Sequence, residues 1–345
     1  MRFAFVCFIA TLLVFSFWGQ ASAAGFSVNT YIISGPKEGE ALDETNQVVF
    51  RFTAWVYPKE TEGQIMFETK IIGFDDDWKE TSSQDRVVEL PAGPKEYTFF
   101  VRAKIGKIVD PTPAKRTFKI NTSPYFGKVK ISGASYQSST YPSLITLHTN
   151  LKEGEKINIT GWEIKGQGGS TIIPKGIEKY NPVYNSPASD DIILKSGTAV
   201  YLSGGSNPLG KNQNFQVNKC FGYLANLRNF PISISQSCPR PYREEFSYLS
   251  QCCQEYVSQM GSCRTPSYWD WVSRGLLQDY QCLNYVTYNF NYAGCFRNYS
   301  QDKNFLGNSW HIYIERNILS SKRDTLYLRD QNGLVVDKYP YGCCY

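Results

Sequence analysis

Residues 324–341 read DTLYLRDQNGLVVDKYPY, and this stretch decides the fold. Asp330-Gln331-Asn332-Gly333 is a hairpin turn, because Asn and Gly tolerate the positive φ such a turn needs between two strands. Strand-like runs at 324–328 and 335–337 flank it, and 310–314 continues the pattern upstream. Further back the pattern is lost until about Cys220. Before that point it returns: Val129, Ile131 and Gly133 alternate with Lys128, Lys130 and Ser132, and 143–150, 158–164, 172–174, 191–194 and 199–202 follow. The spacing predicts a β-sandwich over 125–345 with a foreign insertion at about 219–305.

The first third is patterned the same way. Strand-like segments at 47–55, 64–72, 86–90, 97–103 and 116–120 are separated by turns such as Gly73-Phe74-Asp75-Asp76-Asp77 and Pro91-Ala92-Gly93-Pro94. Short strands at roughly 8–12-residue spacing argue for a small sandwich, here 26–122. Tyr97, Phe99 and Val101 fall on one sheet face. Trp78 is expected to plug one end of the core, Gly93 to supply a turn with positive φ, and Asp75-Asp76-Asp77 to form a solvated turn. Calcium is a poor match there, since an EF-hand needs alternating ligands and a Glu at position 12.

Two resemblances sharpen this. FETKIIGFDDDWKE…RVVELPAGPKEYTFFVRAK (67–104) resembles an immunoglobulin or fibronectin type III-like module of the triple-tyrosine kind, through Gly73, Phe74, Asp75, Trp78, Leu90, Gly93, Tyr97, Phe99, Val101, Arg102 and Ala103. ITLHTN…INITGWEI…GGSTIIPKG, with the segment quoted first, is similar to a lamin-tail domain of the bacterial exported type. Asn150, Gly161, Trp162, Asp324, Leu326, Leu328, Asp330, Gly333, Val336, Asp337 and Tyr341 carry that likeness. The resemblances imply a mainly β chain of two immunoglobulin-like sandwiches, the second interrupted by a disulfide-rich helical insertion, in an extracellular spacer or binding role with no catalytic residues to transfer.

The 345 residues are 42% hydrophobic and carry 36 basic against 31 acidic side chains, interspersed, so charge alone indicates neither a nucleic-acid nor a membrane-surface binder. Residues 3–19 are mostly apolar behind Arg2 and precede Ala21-Ser22-Ala23. This reads as a signal peptide, 1–23, with an uncleaved anchor as the alternative. Of the ten cysteines, Cys7 lies in the leader and the other nine all follow position 219. Such clustering in an exported chain is a disulfide framework, and zinc-type spacing is missing. Cys220, Cys238, Cys253, Cys263, Cys282 and Cys295 are the bridge candidates. Fifteen connectivities are open to them, with Cys220–Cys238 the one pairing expected. Cys252, Cys343 and Cys344 are candidates for free or intermolecular thiols.

Within the insertion the period changes. Phe246, Leu249, Cys253, Tyr256, Val257 and Met260 share one helix face, which buries Cys253 and leaves Cys252 at its margin. A second helix is expected over 267–285, opened by a Ser267/Asp270 cap, with Leu276, Tyr280 and Leu283 on one side. The region holds ten tyrosines, a residue suited to glycan or protein recognition, though most are expected to pack a small core. Trp269 and Trp271, two apart, cannot both face one stripe, so they are the candidate binding aromatics.

No nucleophile–base motif, Walker loop or zinc-protease motif is present, and His148 and His311 are the only histidines. Nuclear lamin tails contact DNA, but the basic clusters here (Lys115-Arg116, Lys128/Lys130, Lys322-Arg323) are pairs rather than stripes, which argues against nucleic acid. The expectation is a non-catalytic exported or cell-envelope protein without cofactor or metal, whose partner is an extracellular protein or a glycan. Membrane contact would come only through an uncleaved leader. A secreted hydrolase or nuclease and a disulfide-linked structural subunit are the alternatives.

Overall fold

The structure, a computed structural model, describes residues 27–57, 63–181 and 188–342. The signal peptide expected at 1–23 and the thiol candidates Cys343 and Cys344 lie outside the described residues.

Period-2 alternation builds the first sandwich. Its strands are β1 (Ser27–Ser34), β2 (Glu40–Leu42), β3 (Gln47–Tyr57), β4 (Ile65–Ile72), β5 (Lys79–Thr81), β6 (Asp85–Glu89), β7 (Lys95–Ile105), β8 (Ile108–Val109) and β9 (Ala114–Ile120). They form a sheet β1-β3-β6 and a sheet β2-β9-β7-β4-β5, with β8 paired to β7. In β3, Val48, Phe50 and Phe52 are buried while Gln47, Val49 and Arg51 are exposed. Phe50 stacks on Phe99 of β7 at 3.9 Å between centroids, so the two sheets close face to face.

Two expectations in this module need correction. Trp78 does not plug the core: it is half-buried, with the Arg102 guanidinium 4.2 Å over its ring. Nor is the Asp75 turn solvated. Asp76 and Asp77 are exposed, but the Asp75 side chain is fully buried. It accepts from the Ile71 N–H at 2.7 Å and meets Arg86 at 2.8 Å and Lys79 at 2.9 Å. Burial alone would raise its pKa, but the bonds from Arg86, Lys79 and Ile71 outweigh that and hold the carboxyl below its ordinary value. Gly93 does adopt positive φ, at 111°.

The second sandwich comprises β10 (Val129–Ser135), β11 (Leu144–Thr149), β12 (Ile157–Asn158), β13 (Glu163–Gly166), β14 (Gly169–Ile172), β15 (Ile193–Leu194), β16 (Ala199–Ser203), β17 (Phe215–Asn218), β18 (Leu306–Tyr313), β19 (Asp324–Arg329) and β20 (Val335–Tyr341). One sheet runs β10-β11-β16-β18-β17, a second β14-β13-β19-β20, and β12 pairs with β15. Between the two larger sheets lies an aliphatic core around Trp162, Ile164, Leu202, Ile312, Leu326 and Leu328. The single strand expected at 158–164 is broken instead, because Gly161 turns at φ +83° and swings Trp162 into the core. The 330–333 turn forms as a tight hairpin, Asp330 donating its N–H to the Leu334 carbonyl at 2.9 Å.

By backbone contacts the chain divides into two compact units. Of the described residues, one holds those up to Glu38, within Val48–Val88 and in Tyr97–Thr117; the other holds Gly39–Gln47, Glu89–Glu96 and those from Phe118 on. Among the described residues no helix is long and apolar enough to cross a membrane.

The insertion leaves from β17 and returns in β18, which are hydrogen-bonded antiparallel neighbours with Asn218 opposite Leu306. Topologically it is one hairpin connection, grown large. Its ends are already at ladder spacing, so the sandwich need not deform to carry it.

Candidate functional site

Five short α-helices and one 3-10 turn (Arg243–Phe246) make up the insertion, the α-helices being α1 (Phe221–Leu227), α2 (Gln251–Gln259), α3 (Tyr268–Ser273), α4 (Tyr280–Asn289) and α5 (Tyr292–Tyr299). Helices this short are not stable alone in water, so something else must hold them. Three disulfides do: Cys220–Cys295, Cys238–Cys263 and Cys253–Cys282. The expected Cys220–Cys238 bridge is not formed. Cys220 begins α1, which packs against α5 and so meets Cys295, while Cys238 reaches the segment after α2. Gly222 makes this possible, since a side chain there would collide with the sulfur of Cys263. Cys252 is exposed and free.

The root of the insertion packs on the sandwich through Phe215, Phe221, Tyr292, Phe305 and Tyr313. Tyr292 ties it down: its hydroxyl donates to the Tyr180 carbonyl at 2.6 Å and accepts from the Asn218 amide at 2.9 Å. Burial pushes this phenol well above the ordinary tyrosine value, against the Asn218 bond, which lowers it.

The tip has its own core of Phe246, Leu249, Cys253, Tyr256, Val257, Met260, Leu276, Cys282, Val286 and Phe290. The stripe expected from periodicity is buried, although the helix itself starts only after Ser250. Caps and cross-link coincide here. Ser250 caps α2 by accepting from the Cys253 N–H at 3.2 Å, and Asp279 caps α4 by accepting from the Cys282 N–H at 3.0 Å. The Ser250 hydroxyl donates to the other Asp279 oxygen. Each bridge cysteine thus sits three residues past its cap, and the two helix starts are fixed together.

The single helix expected over 267–285 is two. Ser267 and Asp270 form the capping box of α3, but Gly275 takes φ +63° and ends it, and α4 starts afresh at Tyr280. Leu276 is buried, whereas Tyr280 is exposed rather than sharing its side. The tyrosines also depart from expectation. Tyr223, Tyr256 and Tyr292 are buried, but Tyr242, Tyr248, Tyr268, Tyr280 and Tyr288 are exposed, because so small an interior cannot take them all.

These exposed rings are partly gathered. A groove of about 910 Å³, within the size range of small-ligand sites, is lined by Tyr248, Trp271, Gln281, Leu283, Asn284, Tyr285, Thr287, Tyr288 and Asn289. Gln281, Asn284, Tyr285 and Tyr288 stand at i, i+3, i+4 and i+7 on α4, beside its buried Cys282/Val286 stripe. Tyr248 meets Tyr285 edge to face at 6.4 Å. The Arg297 guanidinium lies 3.3 Å over the Tyr288 ring and donates to the Tyr288 carbonyl at 2.8 Å. Asn289 is already engaged, donating to the Tyr285 carbonyl and accepting from Asn298. Burial first, then the nearby Glu245, Tyr248 and Tyr299, push the Tyr285 phenol up to about 12, so it stays neutral. Of the two candidate tryptophans, Trp271 reaches the groove from α3, whereas Trp269 is 74% exposed against Tyr268 and is not part of the lining. Sequence reasoning did not single out Tyr248, Gln281, Asn284, Tyr285 or Tyr288, taking the tyrosines only as members of a set of ten expected mostly to pack a core. The i, i+3, i+4, i+7 face of YQCLNYVTYN was the signal that could have found the last four.

Several charged side chains outside the groove serve structure. Glu245 closes a capping box on the Tyr242 N–H at 2.8 Å, Asp191 accepts from Asn158 at 2.7 Å, and Lys128 pairs with Glu155 at 3.2 Å. Among the described residues no three His, Cys, Asp or Glu side chains cluster as metal ligands would.

No protein-family model and no curated protein sequence matches the chain. Among solved structures, the FN1–FN3 domains of chicken CNTN1 align over 49% of this chain and 56% of that one, at 9% identity and TM-score 0.22. This chain therefore spans little more than half of that segment. A two-domain fibronectin type III segment of chicken tenascin aligns over 49% of this chain and 83% of its own, at 11% identity and TM-score 0.22. Bacteroides uniformis β-glucuronidase 3 aligns over 52% and 22%, at 11% and 0.20. Likenesses at this level assign no function.

Proposed function

We propose that this chain is an exported, non-catalytic binding or scaffolding protein, in which an immunoglobulin-like sandwich and a lamin-tail-like sandwich carry the helical insertion as the contact element. Its partner is an extracellular or envelope protein or glycan. The observation that carries this reading is the open aromatic groove on a tip stapled by disulfides. Three such bridges belong to an oxidising, extracytoplasmic environment, in keeping with the leader at 1–23.

A photo-crosslinking side chain placed at Gln281 of the full chain, on intact cells that export it, tests the proposal. Adducts are expected from position 281 that are absent when the same group stands at Lys165 on the sandwich. Identical adduct patterns from both positions would count against the insertion as the contact.

One further observation favours a second reading. Cys252 is free and exposed on α2, which suits a disulfide-linked assembly. A reducible dimer on a non-reducing gel, abolished by Cys252→Ser, would establish it; monomer alone would remove it.

A further inference from the structure

We propose that the α4 groove binds an uncharged saccharide, with pyranose rings stacked on Tyr288 and the Tyr248/Tyr285 corner and ring hydroxyls held by Gln281 and Asn284. This rests on the binding reading above and names its ligand class. Three properties of the lining carry it. First, none of its side chains is charged, although the groove holds nine residues. A polyanion would meet only the Arg297 guanidinium beside the groove, already committed to the Tyr288 ring and carbonyl, whereas a phosphate backbone needs several free Lys or Arg.

Second, the polar groups are of the right kind and are unspent. The carboxamides of Gln281 and Asn284 make no hydrogen bond among the described residues, and both are exposed. Each offers two donors and an acceptor, as a ring of hydroxyls that both donate and accept requires. Third, the aromatic surface is flat and already fixed. Tyr288 is clamped by Arg297 on one face, Tyr285 is wedged against the tip core, and the Cys253–Cys282 bridge holds α4 in place. Little side-chain freedom remains to be lost on binding. A sugar ring, with C–H groups on its faces and hydroxyls at its rim, matches flat rings bordered by amides.

A peptide fits less well. The α4 main chain is committed to its own helix, so no sheet edge is offered for strand addition, and Leu283 is the one aliphatic side chain in the lining, too little for an amphipathic helix.

The test uses the full, oxidised chain in calorimetric titrations with cellotetraose, xylotetraose, chitotetraose and maltotetraose, and with a heparin tetrasaccharide as the charged comparator. At least one neutral tetrasaccharide is expected to bind. Tyr288→Ala and Asn284→Ala, both at exposed positions, should each weaken it about tenfold with unchanged Tm, while Tyr288→Phe keeps most of the affinity. No saturation by any neutral probe at millimolar concentration, binding that survives Tyr288→Ala combined with Asn284→Ala, or tighter binding of heparin would each overturn the proposal. If position 281 still crosslinks to a surface protein while no saccharide binds, the ligand class falls and the binding reading stands. If neither occurs, both fall.

Discussion

The second sandwich and the tip of its insertion solve the same problem by different means. In the sandwich, Ile, Leu and Val side chains from two sheets close around Trp162, and no cysteine takes part. Main-chain ladders along β10-β11-β16-β18-β17 satisfy the backbone, and the interior alone holds the structure. The tip buries far fewer side chains, and both halves of a disulfide are among them. It leaves Tyr242, Tyr248, Tyr268, Trp269, Tyr280 and Tyr288 on the outside. A cross-link that constrains the unfolded chain lets a small region fold without committing its large side chains to a core. Those side chains then remain free to make contacts, which is why the groove lies on the tip and not on the sandwich.

This contrast can be broken in several places. The largest effect is expected in the sandwich. Trp162→Ala should cost about 3–5 kcal/mol, through lost burial and the cavity left behind, and should lower the denaturant midpoint of the β-sheet signal. A smaller loss would mean that the core is less dependent on its one large ring than its position suggests.

At the tip the cross-link should matter more than any single core residue. Cys253→Ser with Cys282→Ser should cost about 3–4 kcal/mol by chain entropy, and amide exchange should speed up in α2 and α4 while β10 to β20 stay protected. Loss of protection in both regions would show them to be one cooperative unit.

Acid should find the sandwich through His311. Buried between Phe215 and Tyr201, this imidazole is pushed down to about 4 from an ordinary 6.5. The unfolded chain therefore takes the proton first. Stability should be complete above about pH 6.5 and fall by about 3 kcal/mol as pH drops towards 4. Asp337 works the opposite way, its carboxyl raised mainly by burial despite the bond from the Ile131 N–H, so protonation relieves rather than harms it. Urea titrations between pH 7 and 4 should show the fall, and His311→Gln should flatten it; a slope unchanged in that variant would assign it elsewhere. The smallest effect belongs to Tyr288→Ala, which should change stability by less than about 0.5 kcal/mol, because the ring is an exposed surface group.

Much of this was legible beforehand. Strand runs with period 2 and the turns at Gly93 and Gly333 are local signals: alternation records which face is buried, and positive φ is a property of the residue itself. The same holds for the stripe through Cys253 and the capping pair Ser267/Asp270. The buried Asp75 was not legible, because its cost is offset by Arg86 from another strand.

The sequence by itself determined that the chain is mainly β, that a helical cysteine-rich segment interrupts its second sandwich, and which cysteine faces inward on α2. Only the tertiary structure decided that Cys220 meets Cys295 rather than Cys238, and that Tyr248, Trp271 and the outer face of α4 enclose one groove. The reason is range. Periodicity and turn preference act over a few residues, whereas a disulfide partner or a groove wall is chosen by how separate helices pack, and no local pattern encodes that.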